Sequence, residues 1–408
     1  MELINKNGID ILVKNNKKTP RIALVCCFSI NKAEKIAGIN SLFTKLLMQG
    51  TKTYSNIELL QLIEEKGIEI NVRCKQDYLT ASVLTLNEDF DLGIEILSDI
   101  LQNSTFENFE KEVHKLKGEI TSDLDHPRLQ ATDKFVRNIF DGHYYSNTYT
   151  KVLENIDSIT KEDIIEFHSD ILNSEKVVSV VGDIENKEEL LERIANKFAF
   201  MKNDKSQDEI QNINALKENK VFFIPKKDSK QAQVLRGWTV PTYTSEDYPK
   251  IVVMNNILGS AGLSSRLFVE LRDKKGLAYT VRSSYEPMKR GAILYFYIAC
   301  DPTNIKNSLD SFQVEAEKLM NIPVSQEELE GAKENILGRL EYFSQTNIQQ
   351  ATIAASDHIL GLGLDWEEKY RKMIEAITVD DIQQAAKYFS GNYVTSTLAP
   401  NEFEGLCY

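Results

Sequence analysis

Residues 258–279 read LGSAGLSSRLFVELRDKKGLAY. From Leu263 to Gly276 the stretch reads as a helix closed by glycine, and LAYTVRSSYEP (277–287) reads as a strand. Gly276 lets the chain turn from the one into the other. Working outward, KVFFIP (220–225) and AQVLRGWTV (232–240) are further strands, and YPKIVVMNNILG (248–259) is a helix. AILYFYIACDP (292–302) is the next strand. Helices TNIKNSLDSFQVEAEKLMN (303–321) and SQEELEGAKENILGRLEYF (325–343) follow, then a late helix and the strand YVTSTLAP (393–400).

The same order of elements stands in the first half. GIDILVKN (8–15) and RIALVCCFSI (21–30) are strands, and AEKIAGINSLFTKLLMQG (33–50) and SNIELLQLIEEKG (55–67) are helices ending in glycine. INVRCKQ (70–76) and YLTASVLTL (78–86) form a hairpin. Helices follow near 88–102, 107–124 and through the 150s and 160s, before the strand VVSVVGDI (177–184). A polar stretch without apolar period, 201–219, separates the halves. The pattern predicts an α+β protein of two homologous repeats, each an antiparallel or mixed sheet with helices packed on one face. The expected domains are 1–200 and 220–408, joined by the 201–219 linker.

At 408 residues, with 42% hydrophobic and 27% charged side chains, the chain has a globular composition and room for more than one core. A formal charge of −13 argues against a nucleic-acid partner, which needs a basic surface. No apolar run reaches the ~18–20 residues of a spanning helix, so no membrane association is expected. The N-terminus MELINKNGIDILVKNNKK has no apolar leader, which makes a cytoplasmic location the default. Cys26, Cys27, Cys74, Cys300 and Cys407 are odd in number and lack CxxC spacing, the usage of reduced, mostly buried small side chains. The five histidines show no metal-ligand spacing, and no P-loop, GxSxG elbow or dinucleotide fingerprint occurs.

Gly38-Ile39-Asn40-Ser41-Leu42-Phe43-Thr44-Lys45-Leu46-Leu47-Met48-Gln49-Gly50-Thr51 resembles the segment of the M16 peptidases (pitrilysin-like, mitochondrial-processing-peptidase-like) in which an HxxEH helix ends in Gly-Thr. The resemblance implies the LuxS/MPP-like metallohydrolase fold. It places Ser41, Thr44 and Lys45 at the His, Glu and His positions, which share one helical face. In the family two imidazoles hold zinc and the carboxylate activates its water. Here a serine is a poor ligand, a threonine cannot act as base, and a lysine ammonium repels the dication. Glu119, in the segment 109–119, matches the family's third ligand, with Glu112 earlier on the same face. One carboxylate makes no zinc site, so Glu119 is expected to pair with Lys45 or face solvent. Asn71 matches the Asn of a strand motif beside the family's active site, whose Ala and Thr are replaced by Val72 and Cys74.

The second half keeps its signature. Residues 258–279 look like the family's Gly…SSRLF…LRE-x-x-GLAY segment, whose Arg and Tyr match Arg272 and Tyr279. In the family these side chains reach the substrate at the zinc of the other half, and a guanidinium fork and a phenol suit a peptide carbonyl or the oxyanion formed from it. His143-Tyr144-Tyr145 is similar to the family's His-Pro-Tyr loop and Val180-Val181-Gly182-Asp183 to its closing strand. The resemblance therefore implies a non-catalytic, substrate-binding subunit of a heterodimeric metallopeptidase. It would hold no metal itself, with zinc supplied by an HxxEH-bearing partner and a peptide as substrate. The alternative is a structural or peptide-binding protein of the same fold without a peptidase partner.

Overall fold

The structure is a computed structural model that describes residues 1–202 and 208–407. Residues 203–207 of the 201–219 linker lie outside the described residues. The chain divides into two compact units. The first comprises Met1–Glu119, Val152–Ile210 and Glu341–Trp366; the second comprises Ile120–Lys151, Gln211–Leu340 and Glu367–Tyr408.

The first unit is built on strands β1 (Glu2–Lys6), β2 (Ile9–Asn15), β3 (Arg21–Ser29), β4 (Glu69–Cys74), β5 (Tyr78–Leu86) and β6 (Lys176–Gly182). They lie in the order β1-β2-β6-β3-β5-β4, and only β2 and β6 run parallel. The second unit has β7 (Lys220–Pro225), β8 (Ala232–Val240), β9 (Ala278–Met288), β10 (Gly291–Cys300) and β11 (Tyr393–Ala399). Their order is β7-β11-β8-β10-β9, again with a single parallel pair, β7 and β11. Apart from β1, each strand of the first sheet has a counterpart at the same place in the second. The α+β class and the two repeats are thus present in the topology. β1, which the sequence reading passed over as a polar terminus, is an edge strand, with Lys6 paired to Glu188 and Glu192 and Glu2 to Lys187.

The helices expected on one face are there: Phe90–Asn103 packs on β5 and Lys161–Leu172 on β3. The opposite face is covered as well, by a single helix. In the first unit that helix is Asn347–Ile359, whose Ala351, Ala355 and Ile359 bury Leu12, Ala23, Val25, Cys27, Val177 and Val181. This double cover explains why β3 is buried from Ile22 to Ser29 without polar alternation. In the second unit the Pro127–Ile139 helix plays the same part, with Phe135 and Ile139 in a cluster with Leu235, Ile293, Val394 and Leu398. Each half of the sequence therefore lends one helix to the other half's sheet. The compact units are not the contiguous segments 1–200 and 220–408, because a sheet buried on both faces needs the exchanged helix. The five cysteines are free thiols, four of them buried, and no helix among the described residues is long and apolar enough to cross a membrane.

Candidate functional site

The Ile39–Leu46 helix packs beside β4 and buries Ile39, Leu42, Phe43 and Leu46. It starts later than the 33–50 run suggests: Gly38, at a left-handed φ of +109°, stands at its N-cap, and the Glu34 carboxylate accepts the Asn40 N–H at 3.0 Å. The Phe43 ring lies 5.1 Å from Phe167 and 5.6 Å from His168, between centroids, and this holds the helix in place. His168 Nε2 lies 2.6 Å from the Leu101 carbonyl oxygen and must donate to it. Burial lowers the pKa of this ring.

With the apolar side turned inward, Ser41 is exposed and Thr44 and Lys45 are half-buried. Thr44 Oγ1 donates to the Ser41 carbonyl at 2.9 Å. Lys45 Nζ lies 2.6 Å from Glu119 Oε2 on the Phe109–Leu124 helix, the contact expected from the sequence. Glu112, earlier on that helix, is only 2% exposed, with Lys115 Nζ at 3.9 Å. The residues do not fit zinc. Two hydroxyls and an ammonium offer a metal neither ligands nor a base, and the ammonium sits against the Glu119 carboxylate. Among the described residues no group of three or more His, Cys, Asp or Glu side chains could hold a metal ion.

In the second unit, Tyr279 lies at the start of edge strand β9 and Arg272 in the segment before it. That segment is not the plain helix that 263–276 suggests: Phe268–Lys274 is wound as a π-helix, with the Lys275 N–H donating to the Glu270 carbonyl at 3.2 Å. It ends through Gly276, whose φ of +61° lets its own N–H reach the Arg272 carbonyl and that of Leu277 the Leu271 carbonyl. Wide turns of this kind recur at functional sites. Upstream, Arg266 makes a bidentate pair with Glu328 at 2.8 and 2.9 Å, which holds the Glu328 carboxyl below its usual range. Arg266 is therefore an anchor, tying the segment to the Gln326–Phe343 helix. Gly259 lies so close to β9 that a Cβ there would stand 2.3 Å from the Ser283 main-chain nitrogen.

Within this frame the Arg272 guanidinium carbon lies 4.5 Å from the Tyr279 ring centroid, and Nη1 donates to the Tyr279 carbonyl at 3.0 Å. Tyr279 is 77% exposed, a large apolar ring left in solvent. The structure brings these two residues together, as it does Lys45 and Glu119. A third residue, Phe268, was not singled out from the sequence, although its ring centroid is also 4.5 Å from the guanidinium carbon. The four-residue interval from Phe268 to Arg272 on one helical face was the available signal.

Asn71 lies exposed on β4, an edge strand, and accepts from Arg73 Nε at 3.1 Å. A 560 Å³ groove runs there between β4, β5 and the Asn347–Ile359 helix, with Ile70, Leu84, Phe343, Ile348 and Ile353 among its apolar walls. In the second unit, His143 Nε2 lies 3.0 Å from the Gln211 carbonyl oxygen and Nδ1 accepts the Tyr145 N–H at 3.2 Å, a fastening for the linker.

Two family descriptions match the chain: "Insulinase (Peptidase family M16)" over residues 11–155 and "Peptidase M16 inactive domain" over residues 158–336. The chain belongs to the M16 peptidase family. Among its M16 relatives, an uncharacterized zinc protease of Bacillus subtilis, YmxG, is 22% identical over 404 residues, covering 97% of each chain. A Helicobacter pylori protein named as a non-peptidase homolog, also YmxG, is 24% identical over 400 residues, covering 94% of this chain and 90% of that one. The fold is also that of solved structures. A peptidase M16 inactive domain from Pseudomonas fluorescens matches with a TM-score of 0.87 at 18% identity, over 98% of both chains. A protease from Helicobacter pylori matches with a TM-score of 0.84 at 21% identity, over 98% of this chain and 99% of that one.

Proposed function

We propose that this chain is the non-catalytic, substrate-binding subunit of a heterodimeric M16 metallopeptidase. Arg272 and Tyr279 would act in trans on the zinc site of a partner bearing HxxEH. The observation that carries the reading is the contrast between the two sites. Lys45 stands against Glu119 where a metal would need ligands, while Arg272 is held beside an exposed Tyr279. A buttressed guanidinium and an exposed phenol are suitable donors to a carbonyl becoming an oxyanion. The zinc and the base are left to the partner, and no step is assigned to residues 41, 44, 45 or 119.

The test is reconstitution with an HxxEH homologue from the same genome, assayed on a fluorogenic peptide once assembly is confirmed by size exclusion. Loss of one aimed donor typically costs ~2.7–4 kcal/mol, or ~10²–10³ in rate. Arg272→Ala and Tyr279→Phe are expected to lower turnover by about that order without impairing assembly, and Glu119→Gln to leave it nearly unchanged. Wild-type rates in both clamp variants, with loss in Glu119→Gln, would reverse the assignment. The groove beside β4 supports a second reading, a peptide-binding protein that needs no peptidase partner, since an extended peptide can add to a sheet edge. Peptide binding by the isolated chain, with no HxxEH chain co-purifying, would favour it.

A further inference from the structure

We infer that Phe268 is the positioning residue of the Arg272/Tyr279 pair, holding Arg272 so that its free N–H donors can meet an oxygen acceptor; the inference rests on the function proposed above. Both aromatic rings lie 4.5 Å from the Arg272 guanidinium carbon. Phe268 precedes Arg272 by one turn within the π-helix Phe268–Lys274, and Tyr279 follows across the Gly276 turn. Two aromatic contacts at this distance favour the cation over the ring faces and restrict its rotation. The hydrogen bond from Nη1 to the Tyr279 carbonyl removes a further degree of freedom.

A guanidinium carries its five N–H donors in one plane, at its rim. With two ring centroids 4.5 Å from its carbon and one donor spent on Tyr279, the remaining donors are the ones left to meet a ligand. The chemistry that fits these donors is an oxygen acceptor, a peptide carbonyl or a carboxylate. Phe268 itself is half-buried and acts through Arg272. The wide turn is consistent with this role, because it alters the spacing of side chains one turn apart on that helix.

The experiment uses Phe268→Leu, which keeps an apolar side chain without a π face, and Phe268→Tyr, which keeps the face. In the free chain, NMR should show the Arg272 side-chain signals displaced by ring currents in the wild type and in Phe268→Tyr. In Phe268→Leu they should relax toward ordinary values. In the reconstituted pair, Phe268→Leu should lower kcat roughly 3- to 30-fold, the range of one lost cation–π contact, with KM little changed and Phe268→Tyr restoring the rate. Arg272→Ala is measured alongside. If Arg272→Ala is slow and Phe268→Leu is not, the positioning role is overturned while the proposed function stands. If Arg272→Ala itself keeps the full rate, the proposed function fails. Arg272 signals unmoved by Phe268→Leu in the free chain would overturn the positioning role whether or not a partner is in hand.

Discussion

Lys45 Nζ lies 2.6 Å from Glu119 Oε2, so an ammonium of the Ile39–Leu46 helix is paired with a carboxylate of the Phe109–Leu124 helix. The pair is partly solvated, at 26% and 44% side-chain exposure, and a bridge of that kind contributes about 1 kcal/mol or less. Lys45→Ala or Glu119→Gln should therefore shift the urea midpoint only slightly. Neither variant should acquire zinc by elemental analysis.

Putting the ligands back should reverse this. The combined variant Ser41→His, Thr44→Glu, Lys45→His places two imidazoles four residues apart on the Ile39–Leu46 helix, the second at the position whose side chain meets Glu119. Calorimetric titration is expected to show one zinc bound per chain. Adding Glu119→Gln should weaken it about 10-fold or more. No zinc uptake by a folded triple variant would show that the backbone, and not only the side chains, has drifted from metal geometry.

His168 supplies a pH dependence. Its folded pKa lies below the ordinary value of 6.5 because burial disfavours the charged ring by more than the hydrogen bond from Nε2 to the Leu101 carbonyl favours it. Below the ordinary value the unfolded chain then binds more protons than the folded one, so stability falls as the pH drops. Between about pH 7.5 and about pH 5.5 the urea midpoint of the wild type should fall. His168→Gln, which can still donate to Leu101, should flatten that slope.

Two glycines around the Arg/Tyr pair should respond differently to alanine. At Gly259 the added Cβ would meet main-chain nitrogen at 2.3 Å, and backbone cannot swing aside as a side chain can. A loss of about 1–3 kcal/mol in urea unfolding is expected, the usual cost of overpacking. At Gly276 there is open space and only the +61° φ is at stake, so Gly276→Ala should cost about 1 kcal/mol.

Fragments test the exchanged helices. Residues 1–202 alone would leave Ala23, Val25, Cys27 and Val177 without the Asn347–Ile359 helix that covers them. That fragment is expected to aggregate on expression and to become soluble when a 341–366 peptide is co-expressed. A soluble, cooperatively folding 1–202 fragment would show that this face needs no cover.

The fold was legible where one element carries its own periodicity. The strands RIALVCCFS and AQVLRGWTV, the repeat and the Arg272/Tyr279 segment could all be read along the chain. The Lys45–Glu119 contact was legible only through the family frame, since 74 residues separate the partners. The exchanged helices were not legible. Pro127–Ile139 was passed over, and Asn347–Ile359 was merged into one late helix, because nothing in an amphipathic stretch such as NIQQATIAASDHI names the sheet it covers. The wide turn at Phe268 was missed for a related reason, as an apolar stripe reads much the same whether the winding is α or π.

Exchange of helices also sets an order of events during synthesis. The first sheet has all its strands once Gly182 has been made, yet one of its faces stays bare until Ile359 emerges. The side chain of Asn16 closes on that of Asn347 across 331 residues. Contacts so distant in sequence form late, and a sheet kept waiting for them exposes apolar surface to neighbouring chains. For a ribosome making this protein, the first half is unfinished work until the second is nearly complete, and that interval is when a chaperone has most to protect.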